Sequence, residues 1–174
     1  MEITQELVKS LFDYHEEGYL IWKVRLAKCI HIGDKAGYLN KTGEINRNIV
    51  RIKGKYYIVA RIIFLWHKGW LPENVDHRDR DSINDRIENL RAATRSQNQM
   101  NRRSNIDSTS KYLGVSWNKR MKKWVVSIKV NKKGKYLGCF IDEEKAALAY
   151  NEAASMHFGE FANLNIIQNS LTLV

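Results

Sequence analysis

Apolar and polar positions along the first 70 residues follow the spacing of a helix, several short strands and a second helix. Apolar residues at helical spacing predict an amphipathic helix over Ile3–Tyr14. Strand-like runs separated by turn sequences follow at Tyr19–Val24, Ala36–Leu39, Asn48–Ile52 and Tyr56–Val59. Helical spacing returns over Arg61–Lys68 and ends at Gly69. This order predicts an antiparallel meander followed by a helix.

The central part of the chain has shorter apolar segments. Asn74–His77 is typical of a short strand, and the apolar positions of Ile87–Ala93 indicate a second one. Thr94 then stands at a helix N-cap position, and Gln97 completes a Thr-x-x-Gln capping box. We therefore predict a helix over about Arg95–Arg103, which gives the order strand, loop, strand and helix.

A polar segment rich in Ser, Asn and Arg, residues 102–110, separates this centre from a second pattern that begins at Lys111. We interpret the polar segment as a linker. Alternation over Trp124–Val130 predicts a strand that places Val126 on one face, and we place Trp124 on the other.

The remainder of the second pattern predicts a hairpin and a helix. Residues 131–134 form the expected turn, and Lys135–Phe140 pairs back. Acidic residues at 142–144 favour a helix start. The predicted packing face of this helix comprises Ala146, Ala149, Tyr150, Ala153 and either Met156 or His157. The whole pattern predicts an α+β protein, with a meander and a strand-loop-strand-helix centre followed by a small three-stranded sheet packed on one helix.

Charge indicates the class of partner. The 174 residues include 29 Lys and Arg against 19 Asp and Glu, a formal net charge of +10. This surplus favours a polyanion, with nucleic acid first and a membrane surface a weaker alternative. No stretch approaches the roughly 20 apolar residues of a membrane-spanning helix. Acidic residues interrupt Met1–Leu20, so no signal peptide is expected and a cytoplasmic location is predicted.

Cysteine and histidine spacing argues against a zinc site. Cys29 and Cys139 are far apart and form no Cys-x-x-Cys pair, so we expect neither a zinc ribbon nor, in a reducing compartment, a disulfide. The histidines outside the centre are not spaced from these cysteines as zinc ligands would be, and we interpret these histidines as surface or packing residues. His67, which precedes Gly69, has the alternative of reaching substrate.

The polar residues of the centre suit hydrolysis of a phosphodiester. Asp76 and Asn98 offer hard oxygen donors appropriate to Mg²⁺, which would stabilise charge on the phosphate. Histidine is the side chain best suited to act as a base near neutral pH, so His77 can take the proton of an attacking water. Asn89 lies in the intervening loop, where its amide could hydrogen-bond backbone near His77.

A calcium loop is an alternative for the acidic residues that follow His77. Asp79, Asp81, Asn84 and Asp85 have a suggestive spacing, but no glycine stands at the sixth position and Leu90 occupies the place of the bidentate Glu. We therefore interpret these carboxylates as part of a solvated turn.

The order and spacing of Asp76-His77, Asn89-Leu90-Arg91 and Asn98 resemble the ββα-metal motif of phage HNH homing endonucleases. The resemblance implies that His77 is the general base, that Asp76 and Asn98 bind one Mg²⁺ or Mn²⁺ ion per site without zinc, and that Asn89 orients His77. We predict DNA contacts from four arginines of this region: Arg91, Arg95, Arg102 and Arg103.

One position departs from the family pattern. The segment Ile58–Ile63 resembles one that commonly carries His directly before the arginine, but Ala60 stands there. A supporting polar contact is therefore expected to be missing.

Residues 111–165 resemble the plant ethylene-response-factor type of DNA-binding domain, also called APETALA-two-like. The matching motifs are Tyr112–Val115, Lys123-Trp124, Tyr136–Phe140, Glu144–Tyr150 and Phe161–Asn165. The resemblance implies a sheet laid in the DNA major groove. The residues it would place near DNA are Trp117, Lys119, Arg120, Trp124, Lys129 and Tyr136. Lys and Asn replace most guanine-reading arginines, so sequence preference should differ. Both tryptophans have a core-packing alternative.

These observations predict a nuclease domain over residues 1–101 with its ββα core at about 74–103, a linker at 102–110, a DNA-binding domain at 111–167 and a tail at 168–174. The predicted activity is metal-dependent nicking of double-stranded DNA by a monomer in a phage-infected or bacterial cell. The alternatives are a DNA-binding regulator with an inactive centre and an RNA-binding protein.

Overall fold

The computed structural model describes residues 3–41, 46–100 and 108–167. The chain divides into two compact units, Met1–Asn98 and Gln99–Val174. The predicted helix end beyond Met100, most of the linker, and the tail at 168–174 lie outside the described residues, as do Arg102 and Arg103.

The first unit combines helices with small antiparallel sheets. Its elements are α1 (Gln5–Leu11), β1 (Phe12–His15), β2 (Tyr19–Trp22), β3 (Lys35–Ala36), β4 (Tyr38–Asn40), β5 (Arg47–Ile52), β6 (Lys55–Ile58), α2 (Val59–Lys68), β7 (Asn74–His77), β8 (Leu90–Ala93) and α3 (Arg95–Met100). Strands β1 to β3 form one sheet in sequence order, β4 to β6 form another, and β7 pairs with β8. The predicted α+β class is confirmed.

The N-terminal pattern departs from its prediction at two points. Helix α1 ends at Leu11 because Phe12 is extended (φ −134°, ψ 145°) and pairs with Trp22 of β2. The expected strand over Ala36–Leu39 divides at Gly37, whose φ is +90°. A side chain at Gly37 would lie 2.5 Å from the carbonyl oxygen of Ile49, so only glycine allows this close approach. The predicted meander is therefore two sheets.

Helix α2 lies at the centre of the first unit. Its apolar residues Ile62, Ile63 and Leu65 are buried in a core that also receives α1 and the inner faces of both sheets. Gly69 ends the helix in the left-handed conformation (φ 79°), as expected for a C-terminal cap. Leu90 of β8 belongs to the same core, which fixes the β7–β8 pair against α2.

The second unit is a three-stranded antiparallel sheet covered by one helix. Its elements are β9 (Val115–Asn118), β10 (Lys123–Val130), β11 (Lys133–Phe140) and α4 (Glu143–Phe158). The sheet order is β11-β10-β9. Asn131 and Lys132, both with positive φ, form the two-residue turn between β10 and β11.

Helix α4 packs on this sheet through small residues and two rings. Asp142 caps the helix by accepting a hydrogen bond from the Lys145 N–H at 2.9 Å. The buried residues of α4 are Ala146, Ala147, Tyr150, Ala154 and Phe158. The predicted face was therefore wrong in part, because Met156 is 79% exposed and Ala147 and Ala154 are buried.

The tryptophans of the second unit lie on the helix-covered face of the sheet. Trp117 and Trp124 are directly opposed on β9 and β10, with ring centroids 4.9 Å apart. Trp124 packs against the same core as the buried Val126, two residues further along β10. The prediction that Trp124 faces away from Val126 was wrong, because residues two apart on one strand share a face.

Candidate functional site

Strands β7 and β8 bring Asp76 and Arg91 together. The two residues are direct neighbours in the strand pair, and both side chains are buried. Arg91 donates from Nε at 2.9 Å and from Nη2 at 2.7 Å to Asp76 Oδ2. The prediction that Arg91 contacts DNA disagrees with this position, since its guanidinium is committed to a buried carboxylate.

His77, the next residue on β7, contacts a carboxylate that sequence reasoning missed. Its Nε2 lies 2.8 Å from Asp85 Oδ1, and the side chains are 14% and 2% exposed, respectively. Asp85 Oδ2 accepts a hydrogen bond from Asn48 Nδ2 at 2.9 Å. The prediction that Asp85 belongs to a solvated turn was therefore wrong. No local signal identifies this residue, because its partners come from β5 and β7.

Asn89 connects the loop to the backbone that follows His77. Its Oδ1 accepts from the Asp79 N–H at 3.0 Å, and its carbonyl oxygen accepts from the Arg78 N–H at 2.9 Å. Its Nδ2 donates to Asp79 Oδ1 at 2.9 Å and to the Asn84 carbonyl at 2.8 Å. The side chain of Asn89 is thus placed to fix the backbone on the C-terminal side of His77.

The acidic loop is held by its own hydrogen bonds. Burial raises the pKa of Asp79, but hydrogen bonds from the Asp81 N–H and from the amides of Asn84 and Asn89 outweigh burial and lower it below its usual range. Asp81 in turn accepts a hydrogen bond from the Ile83 N–H. Asp79 and Asp81 therefore accept hydrogen bonds from within their own loop.

Helix α3 begins with the predicted capping box. The Gln97 N–H donates to Thr94 Oγ1 at 3.2 Å, and the Thr94 N–H donates to Gln97 Oε1 at 2.8 Å. This prediction is confirmed. The Asn98 N–H donates to the Thr94 carbonyl at 3.0 Å, which places half-buried Asn98 in the first turn of α3. Arg95 is exposed on the same turn, in agreement with a surface role.

The oxygen donors predicted to bind metal suit a magnesium-like ion. Asp76 and Asn98 offer one carboxylate and one amide, and no group of three or more His, Cys, Asp or Glu side chains in the described parts of the chain is arranged as a metal site. A site with two protein ligands fits Mg²⁺, which keeps several waters and binds phosphate oxygens. The two hydrogen bonds from Arg91 fix the orientation of the Asp76 carboxylate.

The start of α2 shows what replaces the histidine expected at position 60. Ala60 is buried in the apolar core, and Arg61 Nη2 donates to the Pro72 carbonyl at 3.0 Å. Arg61 therefore holds the segment that leads into β7, whereas Ala60 adds no polar contact.

His67 occupies a packing position near the end of α2. Its ring meets Tyr14 edge-on at 4.5 Å and lies 4.6 Å from Trp66. Burial, followed by the charges of Lys68 and Lys9, lowers the pKa of His67, so its neutral form predominates at neutral pH. These contacts agree with the packing interpretation.

In the second unit, the sheet face away from α4 is polar and accessible. Lys129 and Tyr136 lie on this face, and Tyr136 is 62% exposed. Lys119 and Arg120 are exposed in the turn between β9 and β10. The residues predicted to contact DNA thus form two groups. Lys129, Tyr136, Lys119 and Arg120 lie on this face or in this turn, whereas the two tryptophans lie on the other side of the sheet.

Comparison with known proteins finds one similarity. Residues 57–100 match the model of a family described as HNH endonuclease. The match runs from β6 into α3, includes Asp76, His77, Asn89 and Asn98, and supports an HNH nuclease that acts on DNA. No curated protein and no solved structure matches the chain. No helix within the described residues is long and apolar enough to cross a membrane.

Proposed function

We propose that this protein is a metal-dependent HNH endonuclease of the homing type that nicks double-stranded DNA. The observation that carries the proposal is the family match over residues 57–100, which contains the complete set Asp76, His77, Asn89 and Asn98. The β7–β8 pair and the capped start of α3 support it, because they place Asp76, His77 and Asn98 on ordered elements rather than on a surface loop.

His77 takes the proton of the attacking water in the proposed reaction. Its ring is only partly exposed, and Asn89 holds the backbone that follows it. Asp76 and Asn98 would bind the divalent ion, which supplies positive charge to the scissile phosphate. Arg91 keeps the Asp76 carboxylate in one orientation.

The second unit provides DNA affinity in this proposal. Its support is the resemblance to the plant ethylene-response-factor type of domain and the accessible basic face with Lys129 and Tyr136. In this proposal the protein acts as a monomer in the cytoplasm and cuts one strand, since the described residues contain one centre of this kind.

Cleavage of supercoiled plasmid tests the proposal. The wild-type protein should produce open circles with Mg²⁺ and none with EDTA, whereas His77→Ala should abolish cutting and leave DNA affinity within a few-fold. The matched control is His31→Ala, because His31 is exposed and outside the site. Cutting by His77→Ala at the wild-type rate would overturn the role of His77.

Two other outcomes separate the alternatives. Linear product would keep the nuclease but require two centres acting together. Intact plasmid that is tightly bound across several metals would favour the regulator, for which Ala60 in place of histidine is the specific observation. Stronger binding of RNA than of duplex DNA in competition would favour an RNA-binding protein.

A further inference from the structure

We propose that Asp85 is a positioning residue that holds the neutral His77 ring in the tautomer with its proton on Nε2. Nδ1 is then the nitrogen that takes the proton of the attacking water. The catalytic consequence depends on the function proposed above, whereas the tautomer itself depends only on the contact between the two side chains.

When the ring is neutral, the contact leaves one position for its proton. An ionised carboxylate only accepts hydrogen bonds, so a neutral imidazole that faces Asp85 Oδ1 at 2.8 Å must carry its hydrogen on Nε2. Asp85 is almost completely buried, and a buried carboxylate without its donors is costly. The opposite tautomer would set two acceptors against each other in this enclosed place.

Asp85 itself is held by elements distant in the sequence. Asn48 of β5 donates to its second carboxylate oxygen at 2.9 Å. The backbone beside Asp85 packs on Gly18, where a side chain would come within 2.7 Å of the Asp85 carbonyl carbon. The Ile87 N–H also donates to the Tyr14 hydroxyl at 3.1 Å. The Asp85 carboxylate is therefore held in place and can fix the orientation of the His77 ring.

The orientation of the His77 ring and the position of its proton together determine which nitrogen accepts the proton of the attacking water. Asn89 fixes the backbone after His77, and Asp85 fixes the ring through Nε2. In the hydrolytic step, the water oxygen bonds to phosphorus, the water proton passes to Nδ1, and the bond to the leaving oxygen breaks. Solvent then protonates the leaving oxygen.

The variant Asp85→Asn keeps the size of the side chain but no longer restricts His77 to one tautomer. Its amide can present either oxygen or NH₂ to Nε2, and the NH₂ orientation stabilises the wrong tautomer. We expect kcat to fall roughly 10²-fold, in the range of a general-base contribution, with KM within a few-fold.

The decisive readout is the His77 tautomer in the full chain, measured by long-range ¹H–¹⁵N NMR with labelled histidine at a pH where the ring is neutral. Five histidines give few signals, and the His77→Ala spectrum assigns the one that matters. Wild-type His77 should be protonated on Nε2, and Asp85→Asn should populate the Nδ1-protonated form. The control is Asp81→Asn in the same loop, whose amide oxygen can still accept from the Ile83 N–H.

The outcomes are separable. A wild-type His77 protonated on Nδ1 would overturn the proposal, and this measurement does not depend on the folding of Asp85→Asn. An Asp85→Asn protein with unchanged tautomer and kcat would also overturn it. A wild-type protein with the expected tautomer that cuts no DNA would contradict the nuclease function while supporting the positioning role.

Discussion

At the scale of single residues, location rather than residue type decides the role of the charged groups near β7. Arg91 belongs to a motif that is typical of a nuclease, and its charge suggested DNA contact. In the structure its guanidinium is buried against Asp76. A buried ion pair adds little net stability compared with an apolar pair, but removal of one partner leaves an uncompensated charge.

We therefore predict that Arg91→Ala destabilises the first unit by about 3–5 kcal/mol. The measurement is the free energy of unfolding from denaturant titration. Arg95→Ala is the matched control, since Arg95 is exposed and its loss should change stability by no more than about 0.5 kcal/mol. Weaker DNA binding by Arg91→Ala at unchanged stability would restore the predicted surface role.

At the scale of elements, the sheet of the second unit has one face that packs toward α4 and one face that is open to solvent. Trp124 packs against the core on the side toward α4, whereas its neighbour Trp117 is 37% exposed. Lys129 and Tyr136 occupy the other side of the sheet. Gly114 supports this packing, because a side chain there would lie 2.1 Å from the Tyr150 ring. Trp124 therefore contributes to the packing of the second unit.

This division predicts different results for two substitutions in β10. Trp124→Ala should lower the free energy of unfolding by roughly 2 kcal/mol or more through lost packing. Lys129→Ala should weaken DNA affinity and leave stability within about 0.5 kcal/mol. The control is Lys145→Ala on the exposed surface of α4, which should change neither. Equal loss of DNA affinity from Lys129→Ala and Lys145→Ala would argue against the open face as the DNA-binding surface.

At the scale of the whole molecule, positive charge is distributed over both units. Residues 111–135 contain nine Lys or Arg and no acidic residue. In the first unit, Arg47, Arg51, Lys53 and Lys55 are exposed on the β5–β6 hairpin. Several phosphate contacts are therefore expected in a DNA complex, each releasing counterions.

The predicted consequence is a steep salt dependence of DNA binding. With 6–10 phosphate contacts, affinity should fall by about 10³–10⁵ between 50 and 200 mM salt. Fluorescence anisotropy titrations at several salt concentrations measure the slope, and Lys129→Ala should reduce its magnitude by about 1. A slope near zero would contradict a phosphate-based interface.

The sequence by itself determined the local parts of this protein. The capping box at Thr94 and Gln97 was predictable because both hydrogen bonds join residues three apart. The order of strand, loop, strand and helix around Asp76 and His77 followed from short apolar segments and from this capping box. The HNH-type motif could also be found from the sequence, because its residues lie within one short segment.

Only the tertiary structure decided contacts between distant segments. Asp85 meets His77 inside a site anchored by Asn48, 37 residues earlier in the chain. The end of α1 at Leu11 depends on the pairing of Phe12 with Trp22. A short apolar or acidic segment has several local conformations of similar energy, and the partner from another strand selects one. For that reason the sequence indicated which chemical groups were present, and the fold decided which of them meet.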